Sequence, residues 1–169
     1  MGQRGFTLIE LLIVIAIVGV IATISIPALL RARASANEAA AIGDTRTLVS
    51  AEAAYHSANS GYYGTLTCLA NPAGCLPGYT DPPFIDSVLG AGPIVQKQGY
   101  VRAWREVPDP GGSTGSIESY CYQSQPINQG RTGVRSFGGD SSGVIVESNA
   151  GLACCTAAAA VSPSCAAIR

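Results

Sequence analysis

The sequence predicts an α+β protein: one long N-terminal α-helix, membrane-spanning in its first half and amphipathic in its second, packed on a small antiparallel β-meander. Three observations carry this expectation. Residues 11–30 are uncharged, an Ala-rich stretch with helical periodicity follows to about residue 58, and strand-sized alternating segments separated by Gly/Pro turns fill the rest. The 169 residues hold ten Lys+Arg against eleven Asp+Glu, so only 12% are charged while 47% are hydrophobic. That charge content is about half that of an average soluble domain, and it excludes a charge-rich disordered tail. The near-neutral balance also excludes a nucleic-acid module that works by bulk positive charge. The length admits one domain plus an extension.

The first element is the apolar segment. Between positions 11 and 30 only Thr23 and Ser25 carry polar side chains, and Leu12, Ile13, Val14 and Ile15 in succession leave no polar face. About 20 apolar residues at 1.5 Å each cross the ~30 Å hydrocarbon core of a bilayer. A membrane span over about 8–30 is therefore expected. A secretory signal peptide fits less well, because the run is long for an h-region and Glu10 stands directly before it. Orientation is left open by the charges, with Arg4 before the segment and Arg31 and Arg33 after it. Glu10 is the oddity, since a carboxylate at the edge of a span is costly without a partner.

Gly5-Phe6-Thr7-Leu8-Ile9-Glu10-Leu11-Leu12, with the apolar run ending in Ile26-Pro27, resembles the N-terminus of type IV pilins and type II secretion pseudopilins. The resemblance covers about the first 30 residues. It implies that residues 1–5 are a cytoplasmic leader, that a prepilin peptidase cuts between Gly5 and Phe6, and that Phe6 is then N-methylated. It also orients the span, with everything from Arg31 onward outside. In that family the carboxylate matching Glu10 pairs with the terminal amine of a neighbouring subunit. Each charge is expensive to bury alone and pairing removes most of that cost, so Glu10 reads as a registry device for assembly. Gly19 and Pro27 interrupt the apolar half, and Pro27, which lacks an N–H, is expected to kink the helix.

Helical signal continues past the span. Ala34, Ala41/Ile42, Thr45, Leu48/Val49 and Glu52/Tyr55 recur at helical spacing, with Arg31, Arg33, Glu38, Asp44 and Arg46 assigned to other faces. A helix over 6–58 is expected, reaching about 80 Å at 1.5 Å per residue, and Asn59-Ser60-Gly61 ends it, with the glycine supplying the cap.

Residues 59–169 form the expected globular head. Residues 62–89 read as irregular loop with one short helix near 84–89. Segments 100–107, 118–123, 133–137 and 143–147 read as successive strands joined by short turns, hence an antiparallel meander covered by the amphipathic half of the helix. Cys68, Cys75, Cys121, Cys154, Cys155 and Cys165 all lie here, and an even count in an exported domain indicates disulfides. Cys68 and Cys75 bracket a short loop and are the preferred pair. Cys121 is expected to tie down the Cys154/Cys155 tail, and Cys165 takes the remaining thiol. No metal site is expected, since there is no CxxC and the one histidine, His56, lies on the helix.

Several motifs are declined. Gly139-Asp140-Ser141-Ser142-Gly143 matches the G-x-S-x-G pattern, with His56 upstream, but it lies between two expected strands rather than at a strand-to-helix elbow. Asp140 alone falls short of the several carboxylates that calcium requires. Arg102, Arg105, Arg131 and Arg135 could line a nucleic-acid surface, but the head carries six bases against seven acids, and a solvated strand face is the expected place for them.

The resulting expectation is a structural subunit, not an enzyme and without cofactors: a prepilin of a type IV pilus-like filament serving adhesion, motility or uptake. Its implied partners are further copies of itself and related minor pilins, the prepilin peptidase, an inner-membrane assembly platform, and the lipid bilayer before assembly. Nucleic acid is not expected. Localisation would be the inner membrane first, then an extracellular pilus or a periplasmic pseudopilus. The alternatives are a type II secretion pseudopilin and, from another class, a membrane-anchored binding or enzymatic module.

Overall fold

A computed structural model describes residues 5–109 and 115–168; the expected leader residues Met1–Arg4 lie outside them. The chain divides into two compact units, one ending at Arg33 and the other beginning at Ala34. Helix α1 (Leu8–Ala58) contributes to both. In the first unit it is helical throughout, passing Gly19 and Pro27 without leaving the α conformation. The Thr23 hydroxyl donates to the Gly19 carbonyl at 2.8 Å, so this polar group in an apolar run is satisfied within the helix.

In the second unit α1 presents Ala41, Thr45, Leu48, Ala51, Glu52 and Tyr55 as a buried stripe, the spacing read from the sequence. The helix ends in a Schellman arrangement: Gly61 N–H donates to the His56 carbonyl at 3.0 Å. Ser60, at φ 54°, occupies the left-handed C′ position, one residue before the glycine expected there, and Gly61 follows at φ 94°.

Among the described residues, seven strands make one antiparallel sheet: β1 (Tyr63–Gly64), β2 (Ile94–Lys97), β3 (Tyr100–Pro108), β4 (Ser116–Pro126), β5 (Ser136–Asp140), β6 (Ile145–Ser148) and β7 (Ala166–Ala167). The order is β2-β3-β4-β5-β6-β7, with β1 paired to the start of β4. This is the expected meander with an extra strand at each end and one at the side. Trp104, Ile117, Tyr120 and Tyr122 from the sheet meet Leu48, Ala51 and Tyr55 from α1 in the main core cluster. Leu66, Leu69, Leu76, Ile85 and Leu89, from the β1–β2 connection, belong to the same cluster. Helix and sheet approach closely over β5. A Cβ built on Gly139 would stand 2.9 Å from Val49 Cγ2 and 3.2 Å from Thr45 Cγ2, so only glycine fits there without displacing α1.

Three local expectations are corrected. The 62–89 stretch holds a helix, α2 (Leu66–Ala70), whose N-cap Thr65 accepts from Cys68 N–H; five residues are too few to show helical periodicity. Residues 84–88 are not helical. The Asp86 carboxylate caps Val88 and Leu89 N–H at 2.9 and 2.7 Å, and a 3-10 turn (Leu89–Ala91) follows. The strand read over 133–137 begins only at Ser136, because the N–H groups of Val134 and Arg135 are taken by Glu38 of α1.

Disulfides join Cys68–Cys75, Cys121–Cys155 and Cys154–Cys165. The first ties α2 to the segment after it. The other two, through adjacent cysteines, fix the C-terminal tail to β4 and close it on itself. Beyond them β7 pairs with β6, and Ile168 packs on the Ala41–Tyr100–Phe137 cluster.

Two outcomes follow for stability. Replacing Cys121 and Cys155 by serine opens a 34-residue loop and should cost about 4 kcal/mol, against about 2 kcal/mol for the 7-residue Cys68–Cys75 loop; denaturant unfolding of the detergent-solubilised chain measures both. The β2–β3 turn places Gln98 at φ 49° and Gly99 at φ 72°, a two-residue turn that favours Asn-Gly. Gln98→Asn should therefore raise stability by roughly 0.5 kcal/mol in the same assay.

Candidate functional site

Two regions carry the chemistry. The first is the start of α1. Thr7 is the N-cap and Glu10 the third helical residue, and they form a reciprocal capping box. Thr7 N–H and Oγ1 donate to Glu10 Oε2 at 2.9 and 2.7 Å, and Glu10 N–H donates to Thr7 Oγ1 at 3.3 Å. The sequence of this turn thus satisfies its own end and holds the Glu10 carboxylate against the residue that follows Phe6. Gly5 and Phe6 precede the helix, and Phe6 is 80% exposed. Leu8, Ile9 and the large apolar residues from Leu11 to Leu30 are each more than half exposed. α1 is long and apolar enough to cross a membrane, and its most apolar window buries nothing within the chain. An exposed apolar surface of this extent marks contact with lipid or protein.

The second region is the line of acids on the later part of α1. Glu38 accepts from Val134 N–H at 2.7 Å, Arg135 N–H at 3.1 Å and Arg135 Nε at 2.9 Å. Arg135 also reaches Glu147 at 2.9 Å. One helical carboxylate therefore holds both the backbone and the side chain of the β4–β5 connection. Asp44 pairs with Lys97 at 2.8 Å and with Arg102 at 2.6 Å. Arg102 is 2% exposed and donates in addition to the Lys97 carbonyl. Glu52 is fully buried; its Oε2 accepts Gly64 N–H at 3.0 Å, and its Oε1 has no partner among the described residues.

The charges of these acids follow from their surroundings. Burial pushes the Glu38 carboxyl up, but the Val134 and Arg135 N–H groups and the Arg135 guanidinium outweigh it and leave it below its ordinary value. At Glu52 burial dominates; the Gly64 N–H opposes it and the nearby Glu106 charge adds to it, so the carboxyl is pushed up to about 8. From sequence, Glu38 and Asp44 are expected on other faces of the helix and Arg102 and Arg135 on a solvated strand face. The structure corrects this. These four residues are ion-paired across the helix–sheet contact, Arg102 without access to solvent. Position 38 does continue the 41–45–48–52 stripe, and that spacing was the signal available for it.

The declined motifs sit as turn and tail chemistry. Asp140 Oδ1 accepts from Ser142 N–H at 2.9 Å, Gly143 N–H donates to the Asp140 carbonyl at 3.0 Å, and Val161 N–H donates to Asp140 Oδ2 at 2.9 Å. Ser141 lies in this β5–β6 turn, so no strand-to-helix elbow presents it. His56 lies against Tyr63 in a tilted ring contact, with centroids 4.6 Å apart. Among the described residues no group of three or more His, Cys, Asp or Glu could hold a metal ion.

The opposite shifts at Glu38 and Glu52 give stability a pH optimum. Stabilisation by Glu38 is present above the ordinary carboxylate value of 4.5 and fades as pH falls through its lower folded value. Stabilisation from neutral Glu52 is complete below 4.5 and fades as pH rises to about 8. Thermal unfolding followed from pH 4 to 9 should peak at mildly acidic pH. Glu52→Gln should flatten the alkaline limb and raise the midpoint at pH 8. Glu38→Gln should cost about 2 kcal/mol above pH 5, where its hydrogen bonds are charge-assisted.

Comparison with known proteins centres on the N-terminal region. The prokaryotic N-terminal methylation motif matches residues 1–26. Over 60 residues the chain is 38% identical to the type IV major pilin protein PilA of Myxococcus xanthus, an alignment covering 36% of this chain and 27% of that protein. Over 61 residues it is 44% identical to the type IV wide pilus major component PilA4 of Thermus thermophilus, covering 36% of this chain and 47% of the relative. The chain thus spans between a quarter and a half of the length of these relatives. No solved structure matches it significantly.

Proposed function

Because its methylation motif and its N-terminal third make this chain a member of the type IV pilin family, we propose that it is a structural filament subunit that is processed after Gly5, N-methylated at Phe6 and polymerised through α1. The observation that carries this reading is a motif-bearing apolar helix whose surface is exposed along its whole first unit while its second half is buried against a sheet. Such a helix has one face for its own head and a long apolar surface for lipid before assembly and for other subunits after it. The chain performs no catalysis in this reading. The peptidase, the assembly platform and the minor subunits act on it or with it. Before assembly it is anchored in the inner membrane, with residues after Leu30 outside.

Cleavage after Gly5 creates an amine on Phe6, one residue from Thr7 and within the same turn as Glu10. A carboxylate carried into an apolar filament core needs a cation, and the amine of a neighbouring Phe6 supplies one. Gly19 and Pro27 are the places where the apolar half of the helix yields during packing, since Pro27 withholds one backbone hydrogen bond. Both relatives are named as major pilus components, which supports a pilus over a secretion pseudopilus.

Electron microscopy of sheared surface material tests the reading. The wild type should yield filaments containing the chain, and a Gly5→Arg variant, blocked in cleavage, should yield none while its precursor accumulates in membranes. Glu10→Ala should be cleaved normally and lower filament yield by at least tenfold. Normal filaments from either variant would overturn the assignment of these residues.

A further inference from the structure

We propose that the cleft beside Trp104 receives an arginine from α1 of a second copy of this chain, Arg46 in the first instance, and that this is a head-to-tail subunit contact. The inference rests on the filament reading above and names one of its interfaces. Among the described residues, every ion pair that joins α1 to the sheet side runs the same way: Glu38 and Asp44 of the helix meet Arg135, Lys97 and Arg102. The helix acids are thereby consumed, and Glu52 is buried and neutral at pH 7. What α1 leaves exposed in the second unit is a base, Arg46, which has no ion pair among the described residues. The head leaves acids, and of these Glu106 occupies a concave site.

That site is a cleft of about 280 Å³ whose lining includes Thr65, Thr67, Gly92, Pro93, Trp104 and Glu106. Trp104 Nε1 donates to Glu106 Oε2 at 2.6 Å, which fixes the carboxylate and leaves Oε1 to accept. Arg105, the adjacent base, points to the opposite side of β3 by strand alternation, and no base of this chain pairs with Glu106 among the described residues. A carboxylate held in place, in a cleft that Thr65 and Thr67 also line, suits the planar fork of a guanidinium. Arg46 lies on α1 and Glu106 on β3. Repeated from copy to copy, such a contact is of the head-to-tail kind that extends a filament.

A charge swap in the full chain, expressed with its assembly system, tests this. Filaments are sheared and imaged, and the processed chain in membranes is quantified in parallel. Arg46→Glu and Glu106→Arg should each lower filament yield about tenfold at normal membrane levels, and the double variant should recover to within about twofold of wild type. Arg46→Gln and Glu106→Gln provide the gentler pair, because glutamine at 106 still accepts from the Trp104 indole; each should make filaments dissociate at lower salt. Wild-type yield from both single reversals, or a double variant as poor as the singles while the Gln variants keep wild-type salt resistance, would overturn the contact alone. Absence of filaments from the wild type would overturn the filament reading and this interface with it.

Discussion

The Glu38 carboxylate is the contact on which the head depends. It collects two successive backbone N–H groups and a guanidinium from the connection between β4 and β5. Because those N–H groups serve the helix, β5 starts at Ser136 and runs so that Gly139 lies under Thr45 and Val49. The following turn then sets Asp140, whose second oxygen holds Val161 of the tail. From one helical acid the placement of a strand, a turn and the C-terminal segment follows. Burying charge is expensive unless every polar atom finds a partner, and here both oxygens of the carboxylate are engaged.

The three acids on the later part of α1 solve burial in two ways. Glu38 and Asp44 are matched by sheet-side cations. Glu52 has no cation in reach among the described residues and stays protonated near neutral pH, accepting the Gly64 N–H where β1 joins the start of β4. Neutralising one acid and pairing the others keeps the contact between α1 and the sheet free of unmatched charge. It also leaves the outward side of this helix basic, an asymmetry that an assembling chain can use, since the surfaces not needed for folding carry the charges available to neighbours.

The first unit shows the converse arrangement. Thr7, Glu10 and Thr23 are satisfied locally, by the capping box and the bond to the Gly19 carbonyl, while the apolar side chains of its most apolar window bury nothing within the chain. Local polar satisfaction with no apolar burial describes a segment whose stabilising surroundings lie outside the polypeptide.

The sequence by itself determined the long helix, the place of its apolar half, the buried stripe on its second half, the meander, and the N-terminal motif with Gly5, Phe6 and Glu10. These are periodic or contiguous signals, and a period of 3.6 or 2 fixes which residues share a face whatever the rest of the chain does. Only the tertiary structure decided which cysteine of the 154/155 pair meets Cys121, where β5 begins, and that Arg102 and Arg135 lie against the helix instead of in solvent. The physical reason is the same in each case. Adjacent cysteines are equivalent by spacing, a five-residue helix such as α2 is too short to have a period, and an acid on a helix face reads as solvated until a particular guanidinium from a residue 97 positions away occupies it.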